Sequence, residues 1–179
     1  MPKLRILESG RIVCNVKIRP YDSPILRVVE FKIDTGADFS TISKETLHAL
    51  GYTPYWIDVN KKLMKGTTSV ATGEEVKTYN VCLPFISIYG AKGMDYPFAI
   101  LLDKEKEIPK PTCDGCKYTE AKKFDYRLLL GNDILSCFNI NIDRGTGYVH
   151  INRLNNLDER NAKYPDRQLN FIETDLNNQ

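Results

Sequence analysis

Apolar and polar residues alternate with a period of two along most of the chain, and helical spacing is rare. Over residues 11–19, Ile12, Cys14, Val16 and Ile18 alternate with Arg11, Asn15, Lys17 and Arg19, interrupted only by Val13, which predicts a strand with one buried face. Pro20, Asp22, Ser23 and Pro24 then supply turn chemistry. A second strand is predicted with Val29, Phe31 and Ile33 on one face and Glu30, Lys32 and Asp34 on the other. Residues 43–51 read as a short helix, with Ser43 as N-cap, Glu45 in the first turn and Gly51 as the stop.

Strand patterns recur at 68–71, 76–83, 85–88 and 96–102, with Thr72 and Gly73 at the tip of a hairpin between the first two. Residues 104–123 are charged, contain Pro109 and Pro111 and lack apolar periodicity, which marks an insertion at about 103–126. Residues 128–131, Leu-Leu-Leu-Gly, predict a buried strand, 132–138 a helical turn or two, and 140–151 a last hairpin around Gly145 and Gly147. Beyond residue 152 the composition turns polar and rich in asparagine, so 153–179 is expected as a C-terminal extension to a domain spanning 1–152. The expected fold class is all-β with one or two short helices.

Composition narrows the function. The 179 residues carry 25 Lys+Arg against 23 Asp+Glu, a net charge of +2, with no basic run, which argues against a nucleic-acid partner held by phosphate neutralisation. No stretch approaches the roughly 18 apolar residues of a membrane helix, and residues 1–8 lack an apolar signal core, so a soluble cytoplasmic protein without a membrane partner is expected. Five scattered cysteines fit reduced thiols better than a disulfide framework. The two histidines, His48 and His150, have no catalytic motif around them and are read as structural.

One segment carries chemistry: Asp34-Thr35-Gly36-Ala37-Asp38 at the end of an apolar strand. A bare Asp-Thr-Gly is most simply a turn, since all three residue types favour turns. Here it is followed by Ser40-Thr41-Ile42 and matched downstream by residues 128–135, Leu-Leu-Leu-Gly-Asn-Asp-Ile-Leu. In these two motifs, in this order, the sequence resembles the retropepsin-like aspartic proteases, the family of the retroviral enzymes and their cellular and bacterial relatives. The resemblance covers roughly residues 11–152 and implies a closed β-barrel of the acid-protease type. It implies that Asp34 is the catalytic aspartate and that Thr35 and Gly36 support the active-site loop. Ala37 and Asp38 would line the substrate cleft, and Thr72 and Gly73 would belong to a flap over it. Asp34 and Gly131 lie further apart than in a minimal retroviral enzyme, and the insertion accounts for much of the excess.

Peptide hydrolysis by carboxylates alone needs two of them, one ionised to take a proton from water and one protonated to donate to the carbonyl oxygen. Like charges about 3 Å apart do not both ionise cheaply, which keeps the mixed state populated. The chain has one Asp-Thr-Gly; Asp143-Arg144-Gly145 has a bulky cation where the small hydroxyl belongs. A homodimer contributing Asp34 twice is therefore expected, acting on a peptide or protein substrate with no cofactor. The competing expectation is a dimerisation or peptide-binding module of the same fold with little or no hydrolysis. Cys113 and Cys116 form a C-x-x-C, but one pair gives two thiolates where structural zinc usually needs four. They are read first as loop cysteines and only second as a metal clip.

Overall fold

The computed structural model describes residues 4–7, 10–64, 68–69, 75–76, 78–101, 128–143, 148–153 and 157–171. The first strands are β1 (Arg5–Ile6), β2 (Ile12–Ile18) and β3 (Arg27–Ile33). Helices α1 (Lys44–Ala49) and α2 (Pro54–Asn60) follow, then β4 (Lys62–Leu63), β5 (Thr68–Ser69) and β6 (Glu75–Val76). The long hairpin of β7 (Thr78–Ile88) and β8 (Ala91–Leu101) precedes β9 (Leu129–Leu130) and α3 (Asn132–Leu135). The chain continues through β10 (Phe138–Asp143), β11 (Tyr148–Arg153), α4 (Leu157–Lys163) and β12 (Asn170–Phe171). It is a mostly-strand protein with a few short helices.

The main sheet runs β12-β8-β7-β2-β3-β9, with β1 on β2 and β4 on β7; β10-β11 and β5-β6 are separate antiparallel pairs. Alternation predicts β2 because it has one inward face: Cys14, Val16 and Ile18 are buried while Asn15 and Lys17 are exposed. These residues share a core with Phe31, Leu47, Val81, Leu83, Ile86, Phe98 and Ile134. Burying each large apolar side chain contributes roughly 1.5–3 kcal/mol relative to leaving it in water.

Helix α1 starts where Ser43 accepts a hydrogen bond from the Thr46 amide, and it stops at Gly51, whose φ of +87° few other residues adopt. Helix α2 was not expected; Thr53 caps it by accepting from the Trp56 amide, and Pro54 occupies its first turn. Strand β7 passes through Pro84, where the alternation had suggested a break. The ladder omits the pair at Pro84, and Asp95 across from it adopts a φ of +46°, so no hydrogen bond is asked of the missing amide.

The strand pairing expected on either side of Thr72 and Gly73 is present in its described part as β5-β6, Thr68 pairing with Val76 and Ser69 with Glu75. Thr72, Gly73, Cys113 and Cys116 lie outside the described residues. The described part of the polar extension is packed on the domain: β12 pairs with β8, and Leu169 is fully buried.

Candidate active site

Asp34 stands where β3 ends. Strand β9 lies parallel to β3, with Lys32 opposite Leu129 and Ile33 opposite Leu130, and the Asp34 amide donates to the Leu130 carbonyl at 3.0 Å. The chain then turns: the Ala37 amide donates to the Asp34 carbonyl at 3.2 Å, and the Gly36 amide to Asp34 Oδ1 at 3.1 Å. The returning segment runs along the other side of β9, Thr41 and Leu129 exchanging amide bonds of 2.9 and 3.2 Å. On its far side, the Ala99 amide donates to the Ser40 carbonyl and the Ile42 amide to the Ala99 carbonyl. Residues 40–42 thereby link β9 to β8.

The motif after β9 holds this loop. The Asn132 and Asp133 amides donate to the Ala37 and Asp38 carbonyls at 2.8 and 3.1 Å, and Asn132 Nδ2 donates to the Thr35 carbonyl at 3.0 Å. Gly131 makes the approach possible, because a Cβ there would lie 2.6 Å from the Phe39 carbonyl carbon. Gly36 has a different reason from the strained turn that its type suggests: a Cβ would crowd Asp34 Oδ1 at 3.3 Å.

The sequence-predicted residues Asp34, Thr35, Gly36, Ala37 and Asp38 thus form one loop, in which Thr35 and Asp38 are exposed and Asp34 is half-buried. Lys32, which no motif singled out, places Nζ 3.4 Å from Asp34 Oδ2. With side-chain exposures of 39% and 31%, this pair contributes less than about 1 kcal/mol.

Beneath the loop lies a buried polar cluster. Asp133, with no exposed surface, accepts on Oδ1 from the Ser40 amide (2.8 Å), Ser40 Oγ (2.6 Å) and the Ile134 amide (3.0 Å). Its Oδ2 accepts from Tyr96 Oη at 3.2 Å and Arg167 Nη1 at 3.1 Å. Burial pushes the Asp133 carboxyl above its ordinary range, while the Ser40 hydroxyl and the Arg167 charge pull it back. Burial, joined by Asp133, raises the Tyr96 hydroxyl, against the pull of Arg160 and Arg167. Asp133 belonged to the motif that pointed to this family; the two arginines had no local signal.

The buried thiols Cys14 and Cys137 are poor candidates for a nucleophile. Burial, with Glu30 adding to it, pushes Cys14 up to about 12; burial pushes Cys137 up to about 11, Arg160 opposing and Asp133 assisting. Native protein treated with iodoacetamide near pH 8 is expected to stay unlabelled at both, whereas denatured protein is labelled at both, as peptide mass spectrometry would show. His48 and His150 are both exposed, on α1 and β11. Among the described residues there is no group of three or more His, Cys, Asp or Glu side chains able to hold a metal, and no helix long and apolar enough to cross a membrane.

A family profile described as Aspartyl protease matches residues 25–123, more than half of the chain. The fold is similar to that in the crystal structure of a retropepsin-like aspartic protease from Rickettsia conorii, with a TM-score of 0.52 and 19% identity over 84% of this chain and 97% of that one. No curated protein matches the chain in sequence.

Proposed function

The chain belongs to the aspartyl protease family, and we propose that it is an aspartic endopeptidase whose catalytic pair is Asp34 from each of two copies. The observation that carries this is the loop itself: a half-buried carboxylate at a strand end, fixed through its backbone to β9 and through Oδ1 to the Gly36 amide. One such carboxylate cannot serve as base and acid in the same step, so a second copy must bring the other. In the pair, the ionised Asp34 takes a proton from water as its oxygen attacks the peptide carbonyl, and the protonated one donates to the carbonyl oxygen. Collapse of the tetrahedral species breaks the C–N bond as the nitrogen is protonated. No covalent intermediate and no cofactor enter the scheme.

Thr35, exposed on the loop, is assigned to contact the partner's loop, and Ala37 and Asp38 to face the substrate. The 68–76 hairpin, with Thr72 and Gly73, is assigned as the flap over an extended peptide. The link from β9 through residues 40–42 to β8 is read as the closure of the main sheet into a barrel.

The test combines cleavage of a diverse peptide library with sedimentation across a dilution series. Cleavage per chain is expected to fall as the dimer dissociates. A chain that is monomeric and still cleaves would overturn the shared pair, and peptides bound but left whole would identify a binding module instead.

A further inference from the structure

Of two buried arginines in the segment 160–167, Arg167 grips the loop that carries Asp34 and Arg160 braces Arg167 and Asp133 behind it. Arg160 and Arg167 are each 4% exposed. Arg167 Nη1 donates to Asp133 Oδ2 and to the Pro97 carbonyl, and its Nη2 donates to Asn80 Oδ1 at 3.0 Å. Its guanidinium also lies over the Phe39 ring, 4.6 Å from the centroid. Phe39 and Ser40 are successive residues of the active-site loop, so one side chain touches the first directly and reaches the second through Asp133. Arg160 completes the frame, with Nε 2.8 Å from the Asp133 carbonyl and Nη2 2.9 Å from Tyr96 Oη, and with Nη1 donating to the Arg167 carbonyl.

We propose that Arg167 is a positioning residue for the proposed catalytic site: seated between Phe39 and Asp133, it holds the active-site loop in register, making the segment 157–169 a working part of the active site. This rests on the protease reading for its consequence in catalysis, though not for its consequence in the loop. The chemistry suits arginine. A planar guanidinium can stack on a ring while its edge donates to a carboxylate, a carbonyl and an amide oxygen at once, which a lysine ammonium cannot do. The sense is opposite to that of an inhibitory tail, since removing these contacts would loosen the loop rather than open a cleft.

The experiment uses the full chain with Arg167→Met and Arg167→Lys. Amide exchange is followed residue by residue, and kcat and KM are measured per folded molecule. Arg167→Met is expected to speed exchange at the Ser40 and Ala37 amides by about tenfold or more while the β7-β8 amides keep their protection. It is expected to lower kcat by about ten- to a hundredfold with KM within about threefold, as a displaced catalytic loop would. Arg167→Lys should fall between. Should the methionine variant fail to fold, the lysine variant, which keeps a charge opposite Asp133, carries the comparison. Unchanged loop exchange in the folded variant would overturn the proposal, as would protection lost uniformly over the molecule with kcat per folded chain unaltered. If the wild type cleaves no peptide, the protease reading fails by itself, and the exchange comparison still decides whether Arg167 holds the loop.

Discussion

Asp34→Asn is expected to lower peptide cleavage at least about a thousandfold while the chain remains folded, since a lost general base alone accounts for about 10²–10⁴ and the proposed dimer loses both of its carboxylates. Asparagine matches aspartate in size and retains an Oδ1 to accept from the Gly36 amide, so the local turn survives. The loop's backbone ties, from the Asp34 amide to Leu130 and from Asn132 and Asp133 to Ala37 and Asp38, do not involve the Asp34 side chain, so the substitution leaves them alone. What disappears is the negative charge facing Lys32, a half-exposed pair whose loss costs less than about 1 kcal/mol. A melting temperature within about 4 °C of the wild type is the corresponding stability result. A neutral amide cannot accept the proton of an attacking water near neutral pH, which is why the effect falls on rate. Cleavage by rigorously purified Asp34→Asn protein at a tenth of the wild-type rate or more would remove Asp34 from its assigned role.

The loop was legible in the sequence because each of its requirements leaves a mark on residue type. A carboxylate, a hydroxyl and a glycine stand in fixed order after an apolar strand, and the glycine that lets the second motif approach stands before Asn132 and Asp133. Strands β2 and β3 were legible because water on one side and core on the other impose alternation. Helix α2 was not: Tyr55, Trp56, Ile57 and Val59 are β-branched or aromatic, and Ile57 is its buried residue, so its cap at Thr53 and Pro54 carried the signal almost alone. Helix α4 was hidden for a related reason, because its buried position is Arg160, which any hydrophobic pattern counts as polar. The buried cluster around Asp133 joins residues from five separate stretches, Ser40, Asn80, Tyr96, Asp133 and Arg160 to Arg167, a convergence that exists only in the folded chain.

Gly131→Ala is expected to destabilise the protein by about 3–5 kcal/mol, a large share of the 5–15 kcal/mol that holds a typical domain folded. The added methyl would lie 2.6 Å from the Phe39 carbonyl carbon, 2.7 Å from its oxygen and 2.9 Å from the Ala37 oxygen. All three are backbone atoms, so no rotamer change relieves the clash. Nor can the loop retreat cheaply, for the Asn132 and Asp133 amides bond to the Ala37 and Asp38 carbonyls, and the Ser40 amide bonds to Asp133 Oδ1. Backing off breaks these bonds one after another, at about 1 kcal/mol each and more for any buried group left unpaired. Gly36→Ala offers the contrast: its methyl would meet only the Asp34 side chain, at 3.3 Å, and that carboxylate can turn aside. Urea unfolding should therefore find Gly36→Ala close to the wild type in stability but impaired in cleavage. Gly131→Ala should be shifted to a much lower midpoint, losing fold and activity together. A Gly131→Ala protein as stable as the wild type would show that the two motifs do not pack as closely as their hydrogen bonds require.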